Sequence, residues 1–165
     1  MITLREFRQS DTPRLVELAN NPAVARRLKA SFPHPYTEQD ATWWINEGCK
    51  EGIHRVIEQD GLFVGTIGSV IGEGEKCRQY STGYWLGEPY WGQGIVTRAL
   101  TIFIEELFRN TEVERLQAWV YEDNIASMKV LEKAGFHKEA VLKKALYNEG
   151  EFFDEHVYAL LRPHS

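Results

Sequence analysis

Tyr90-Trp91-Gly92-Gln93-Gly94-Ile95-Val96-Thr97 sets two glycines where an aromatic, strand-like run, Tyr80–Leu86, gives way to an amphipathic helical run, Ile95–Phe108. The chemistry this arrangement offers is anion binding. Glycines at 92 and 94 reach backbone angles barred to other residues and let a ligand approach the main chain closely. The first turn of the helix adds unpaired N–H donors and the positive end of its dipole, so a phosphate can be held with few charged side chains. Thr97 can add a hydroxyl. Taken alone, Gly-x-Gly between a strand and a helix is equally the mark of a tight turn. Neither common nucleotide signature is present: no Gly-x-Gly-x-x-Gly follows and no Gly-Lys-Ser/Thr ends the loop, which disfavours ATP and NAD.

A second group of chemically capable residues lies at Glu122-Asp123-Asn124-Ile125-Ala126-Ser127. Asn124 can cap a helix, and Ser127 falls one turn later on the same face. By itself that is a good helix start. However, the strand–glycine loop–helix unit and the strand–Asn-x-x-Ser–helix unit follow each other directly. Two strands then deliver a helix N-terminus each to the same edge of a sheet, where α/β sites form.

The elements around these groups alternate in a mixed pattern. Ile2–Phe7 reads as a strand, and Ser10-Asp11-Thr12-Pro13 caps and opens a helix through Asn20, broken by Asn20-Asn21-Pro22. A short helical run, Ala23–Leu28, leads to the loop Phe32-Pro33-His34-Pro35-Tyr36, and Thr37-x-x-Asp40 resembles a capping box before a helix Gln39–Glu47. His54–Glu58 and Leu62–Ile71 read as a hairpin around Gln59-Asp60-Gly61. Ile95, Ala99, Ile102, Phe103 and Leu107 recur at helical spacing, so that face packs on a sheet. Arg115–Val120 is a strand and Ile125–Ala134 a helix stopped by Gly135. Ala140–Tyr147 and Phe153–Leu161 are strands joined across Asn148-Glu149-Gly150.

Bulk properties narrow the function. A chain of 165 residues suits one domain, 1–165, able to bury a core without disulfides or metals. With 43% hydrophobic residues and a formal charge of -5 it reads as soluble, and it lacks the basic face of a general nucleic-acid binder. An amine-bearing partner suits that charge better. No apolar run approaches membrane-spanning length and the first residues lack the apolar core of a signal peptide, so a cytoplasmic protein is expected, with no membrane partner. Cys49 and Cys77 are isolated and the five histidines are scattered, without metal-ligand spacing; no metal is expected.

Tyr84-Trp85-Leu86, Trp91-Gly92-Gln93-Gly94-Ile95 and Asn124-x-x-Ser127, followed by Val130-Leu131-Glu132-Lys133-Ala134-Gly135-Phe136, together resemble the GNAT superfamily of N-acetyltransferases. The chain is similar above all to the RimJ/RimL branch, which acetylates the N-termini of ribosomal proteins. The likeness runs from Leu4-Arg5 through Tyr158-Ala159-Leu160-Leu161. It implies a single α/β (α+β) domain with a central mixed, mostly antiparallel sheet of about seven strands flanked by about four helices. It also implies acetyl-CoA as co-substrate, its pyrophosphate on Trp91–Thr97 (Trp91, Gly92, Gln93, Gly94, Ile95, Val96 and Thr97) and its pantetheine between strands that splay apart after Leu86 and Val120. Trp85, Leu86 and Gly87 would contact the thioester through their main chain, with Asn124 and Ser127 beside the pantetheine. Two positions depart from the family pattern. Val96 stands where a small residue is usual, and Leu146 occupies the place of a carboxylate considered as base in RimL-like enzymes, so no base carries over.

Direct acetyl transfer needs a neutral amine aimed at the thioester carbon, a donor near the carbonyl oxygen and a proton for the departing thiolate. A main-chain N–H at Leu86 is the candidate oxyanion donor and Ser127 the candidate general acid, although a serine bonding its own helix reads nearly as well. Glu88, Glu122 and Asp123 are acidic residues near the expected site, with solvated carboxylates as their default. Two loops, Leu28–Tyr36 and Tyr147–Asp154, are expected to flank the acceptor. Phe32, Tyr36 and Trp43 offer apolar walls. Glu149, Glu151 and Asp154 form an acidic group able to draw a protonated amine, or simply a solvated hairpin tip. The acceptor expected is a peptide N-terminus, with a small-molecule amine such as a polyamine or an aminoglycoside as the alternative and a non-catalytic CoA-binding module as another. Either a monomer or a homodimer is compatible with the chain.

Overall fold

Thr37 and Asp40 close the capping box read from the sequence: the Asp40 amide donates to Thr37 Oγ1 at 3.2 Å and the Thr37 amide to Asp40 Oδ2 at 2.8 Å. In this computed structural model, which describes Met1–His164, that box starts α3 (Glu38–Asn46), the third of five α-helices. The others are α1 (Thr12–Ala19), α2 (Pro22–Ala25), α4 (Ile95–Asn110) and α5 (Ile125–Lys133). The strands are β1 (Ile2–Arg5), β2 (Ile53–Gln59), β3 (Leu62–Ile71), β4 (Gln79–Leu86), β5 (Arg115–Tyr121), β6 (His137–Asn148) and β7 (Glu151–Leu161). They form a seven-stranded sheet in the order β1-β2-β3-β4-β5-β7-β6.

Pairing is antiparallel at β1–β2, β2–β3, β5–β7 and β6–β7 and parallel at β4–β5. The parallel ladder runs from Gln79 opposite Arg115 to Ser81 opposite Gln117, so it ends before Leu86 and Val120, the points expected from the sequence. Asp60 and Gly61, at φ of 50° and 82°, form the two-residue turn of the β2–β3 hairpin, as a primed turn requires.

The chain divides into two compact units. The first holds Met1–Val70 and Gly83–Phe103. Its core gathers Leu15, Leu18 and Ala19 of α1 with Ala41 and Ile45 of α3, Val56 of β2 and Phe63 of β3; Phe7, Phe32, Trp44 and Trp85 pack against them. Full burial of an aliphatic or aromatic side chain is worth about 1.5–3 kcal/mol, which is what fixes α1 and α3 on their strands.

The second unit holds Ile71–Thr82 and the described residues from Ile104 onward. Leu107, Val113, Leu116, Leu131 and Tyr158 are its fully buried side chains. Its α4 segment ends against Arg162, whose guanidinium donates to the carbonyls of Phe108, Thr111 and Val113 at 2.8, 2.9 and 2.8 Å. A helix leaves its last carbonyls unpaired, and this one side chain satisfies carbonyls at and just beyond that end.

The buried face of α4 differs in three residues from the sequence reading. Ile102 is 36% exposed, while Leu100 and Ile104 join Ile95, Ala99, Phe103 and Leu107 inside. α1 stops at Ala19, as the break at Asn20-Asn21-Pro22 requires; α2 is a single turn, opened by Pro22 and capped by Asn21, whose Oδ1 accepts the Ala23 amide at 2.9 Å, and it ends at Ala25, short of the run expected to Leu28.

Candidate functional site

Gly92 and Gly94 stand at φ of 75° and 73°, in the left-handed region where side chains are strained. A Cβ on either would meet no atom within 4 Å, so both backbones look onto open space. α4 begins at Ile95, and its first backbone bond runs from the Arg98 amide to the Gly94 carbonyl at 3.3 Å. The amides of Ile95, Val96 and Thr97 therefore precede the helix's own bonding, as the first turn of any helix leaves them. The Ile95 side chain is buried, so that residue can offer a ligand only its main chain; Val96 and Thr97 are half-buried.

Main-chain directions at the end of β4 are set by β3. The Gly87 amide donates to the Val64 carbonyl and the Gly72 amide to the Gln79 carbonyl, both at 2.9 Å, which makes β3 and β4 antiparallel with Gly65 opposite Leu86. Successive residues of such a strand turn their amides to alternate sides. The Gly87 N–H is thus spent on β3, and the Leu86 N–H points away from it. Of the two neighbouring main-chain donors, Leu86 is the one that β3 does not engage. Gly65 is needed for this register, because a Cβ there would stand 2.3 Å from the Trp85 carbonyl oxygen.

Trp91 ties the glycine loop to the same strand end. Its indole Nε1 donates to the Leu86 carbonyl at 2.9 Å, while Gln93 Nε2 donates to the Pro89 carbonyl at 3.2 Å. Replacing Trp91 with Phe keeps an aromatic ring and removes this donor. The expected cost is about 1 kcal/mol of stability, seen as a fall of roughly 2–4 °C in the thermal midpoint. An unchanged midpoint would show that the bond holds nothing in place.

Before the loop, the one-turn segment Glu88–Tyr90 is braced from α1. Arg14 donates through Nε to the Phe63 carbonyl at 2.9 Å, through one terminal nitrogen to Glu17 at 3.1 Å and through the other to the Tyr90 hydroxyl at 2.6 Å. Burial works against the Arg14 charge, but the bonds to Glu17 and Tyr90 outweigh it and hold the guanidinium above its ordinary range. Arg14, Glu17, Leu18 and Asn21 of α1 and the turn after it, with Glu88, Pro89 and Tyr90, line a cavity of about 340 Å³. Of these, the sequence points to Glu88 and, as the first residue of the glycine stretch, to Tyr90. The helical spacing of 14, 17, 18 and 21 was legible, but the pairing of that face with Tyr90 spans 76 positions and has no local signal.

The residues expected to receive the acceptor do not all come together. Phe32 and Tyr36 do, with ring centroids 5.3 Å apart and Phe32 6.0 Å from Trp85, edge to face. Tyr36 is buried in the core of the first unit, and burial pushes its hydroxyl pKa up. Trp43 is 59% exposed, lies 6.5 Å from Trp44 and lines a surface hollow with Glu38, Gln39 and Thr42.

In the second unit the acidic hairpin group is split. Glu149 sits in the β6–β7 turn and Glu151 opens β7, both exposed. The Asp154 carboxylate is engaged: it accepts the Lys144 amide at 2.9 Å and Lys143 Nζ at 3.1 Å, bonds that lower its pKa. Its charge is met by Lys143 and it caps a bulge in β6 where Lys144 takes φ of 54°.

At the start of α5 the Ser127 amide donates to Asn124 Oδ1 at 3.3 Å, so Asn124 is the cap read from the sequence. Among the described residues no group of three or more His, Cys, Asp or Glu is placed to hold a metal, and no helix is long and apolar enough to cross a membrane.

Comparison with known proteins adds the family. The protein named "Probable N-acetyltransferase YjcK", from Bacillus subtilis, is 40% identical over 49% of this chain, and the chain spans 45% of that relative's length. Two solved structures share the fold. The RimL L7/L12 α-N-protein acetyltransferase in complex with coenzyme A matches with a TM-score of 0.86 at 22% identity, over 97% of this chain and 93% of that one. The spermidine N-acetyltransferase from Vibrio cholerae in complex with CoA and spermine matches with a TM-score of 0.83 at 17% identity, over 97% and 95%. Because the pattern of the acetyltransferase (GNAT) domain is met over residues 1–137, well beyond half of its length, the chain belongs to the GNAT family of acetyltransferases.

Proposed function

We propose that the protein transfers the acetyl group of acetyl-CoA to a primary amine, with all of 1–165 acting as one transferase domain. The observation that carries this reading is the pair of left-handed glycines opening α4 in a chain of this family. The cradle suits a pyrophosphate: open backbone at Gly92 and Gly94, three helix amides before the first helical bond, and no need for a cationic side chain. In this reading Trp91–Thr97 hold the phosphates, and Trp85, Leu86 and Gly87 form the strand end beside the thioester.

When bound, acetyl-CoA supplies an activated acyl carbon. The amine nitrogen bonds to it, the carbon–sulfur bond breaks, and an ammonium acceptor yields its amide, CoA thiol and one proton to solvent. The Leu86 N–H, aimed away from β3, is the donor for the carbonyl oxygen as charge develops there. Ser127 is proposed to protonate the leaving sulfur, on the strength of the Asn124-x-x-Ser127 motif. Phe32 provides an apolar wall beside Trp85.

For the acceptor, a peptide N-terminus is the first reading, as in RimL, and a small polyamine the second, as in the spermidine enzyme. The pH profile separates them, since only the unprotonated amine attacks. With saturating acetyl-CoA, kcat/KM for the acceptor rises with pH and levels near the amine's own pKa. That is about 8 for an α-amine and about 10.4 for an alkylamine. A thiol-release screen over peptides and small amines, followed by this profile on the best acceptor, tests both steps. No acyl transfer to any amine, with CoA still bound, would leave a binding module instead.

A further inference from the structure

The cavity beside the end of β4 carries one charge that nothing in it answers. Arg14 has its three nitrogens committed to Phe63, Glu17 and Tyr90, so its positive charge is matched by Glu17. Glu88 is bonded by a neutral group, the Asn21 amide nitrogen, which reaches its Oε1 at 3.2 Å. Asn21 is itself locked, because its Oδ1 caps α2 through the Ala23 amide. The Glu88 carboxylate is therefore aimed without being neutralised, over a hollow whose apolar surface comes from Leu18 and Pro89. Leu18 ties that hollow to the reaction end of the strand: its Cδ2 lies 2.6 Å from where a Cβ on Gly87 would stand.

We infer, resting on the acetyltransferase reading, that this cavity takes a second cationic group of the acceptor, with Glu88 as its anchor. The reacting nitrogen must be neutral to attack, and a carboxylate holds an ammonium in its protonated form. Glu88 accordingly suits the charge that does not react, while methylenes between the two nitrogens lie on Leu18 and Pro89. The acceptor class is an amine with at least one further positive charge, either a polyamine or a peptide whose second residue is basic.

The test pairs acceptors that differ only in the second charge: putrescine against butylamine, and alanyl-lysine amide against alanyl-norleucine amide. The parent protein is expected to favour the dicationic member of one pair, and which pair does so names the source. Glu88→Gln is expected to raise the KM of that dicationic acceptor about fivefold, the scale of one exposed ion pair, leaving kcat and the acetyl-CoA KM unchanged. The shift should shrink in high salt, and Glu88→Asp should recover part of it. Glu75→Gln, an exposed carboxylate elsewhere, should change nothing. An equal effect of Glu88→Gln on both members of each pair, or no effect on either, would overturn the inference while leaving acetyl transfer intact. Absence of thiol release from the parent protein with every acceptor would instead remove the acetyltransferase reading, and this inference with it.

Discussion

Gly94→Val is expected to give a folded protein that binds coenzyme A about a hundredfold more weakly than the parent chain. The backbone at 94 stands at φ of 73°, and the Cβ position faces empty space. A β-branched side chain there has two separable effects. It strains the left-handed backbone by about 1–2 kcal/mol, and it occupies the space through which a phosphate reaches the amides at the start of α4. Losing two amide–phosphate bonds, at about 1.5 kcal/mol each, amounts to about 3 kcal/mol, or a factor of roughly 100 in affinity. Gly61→Val isolates the first effect, because Gly61 has φ of 82° in the β2–β3 turn and also meets no atom within 4 Å. Both variants should lose a few degrees of thermal midpoint, and only Gly94→Val should lose CoA, measured by titration calorimetry. Equal affinity in the folded Gly94→Val protein would remove the cradle from the site.

What could be read without coordinates is what local chemistry dictates. The capping box at Thr37, the Asp60-Gly61 turn, the cap at Asn124 and the glycines before α4 are each set by residues within a few positions of one another. What could not be read depends on distant partners. Asp154 looked like part of an acidic tip because its carboxylate is short and near Glu149 and Glu151. Its role is decided by Lys143 and Lys144 across the hairpin, and the bulge there carries no glycine to announce it. Trp43 and Trp44 are equally apolar, and only the phase of α3 turns the second toward Phe7 and His54 and leaves the first exposed. Which of the Leu86 and Gly87 amides β3 engages likewise needed the partner strand, since a strand alternates its donors and sequence gives no starting phase.

The same separation of local from distant causes makes Ser127 testable. The amide of residue 127 donates to Asn124 Oδ1, a bond that alanine keeps. Ser127→Ala keeps that amide bond, whereas Asn124→Ala, which removes the cap, should cost about 1 kcal/mol. Turnover is where the hydroxyl would show. General-acid assistance is worth about 10²–10⁴ where the leaving group is a poor one. An alkyl thiol with a pKa of about 8.5 already departs readily as thiolate, which places the expected loss in kcat nearer tenfold. The KM for acetyl-CoA should move little, since a proton delivered to sulfur matters only as the carbon–sulfur bond breaks. Ser127→Thr keeps a hydroxyl at the same position and should retain most of the rate. Stopped-assay thiol release by the three proteins at saturating acetyl-CoA decides the point: a serine-to-alanine protein with parental kcat would leave the departing thiolate to take its proton from water, and residue 127 would be a helix-start residue like any other.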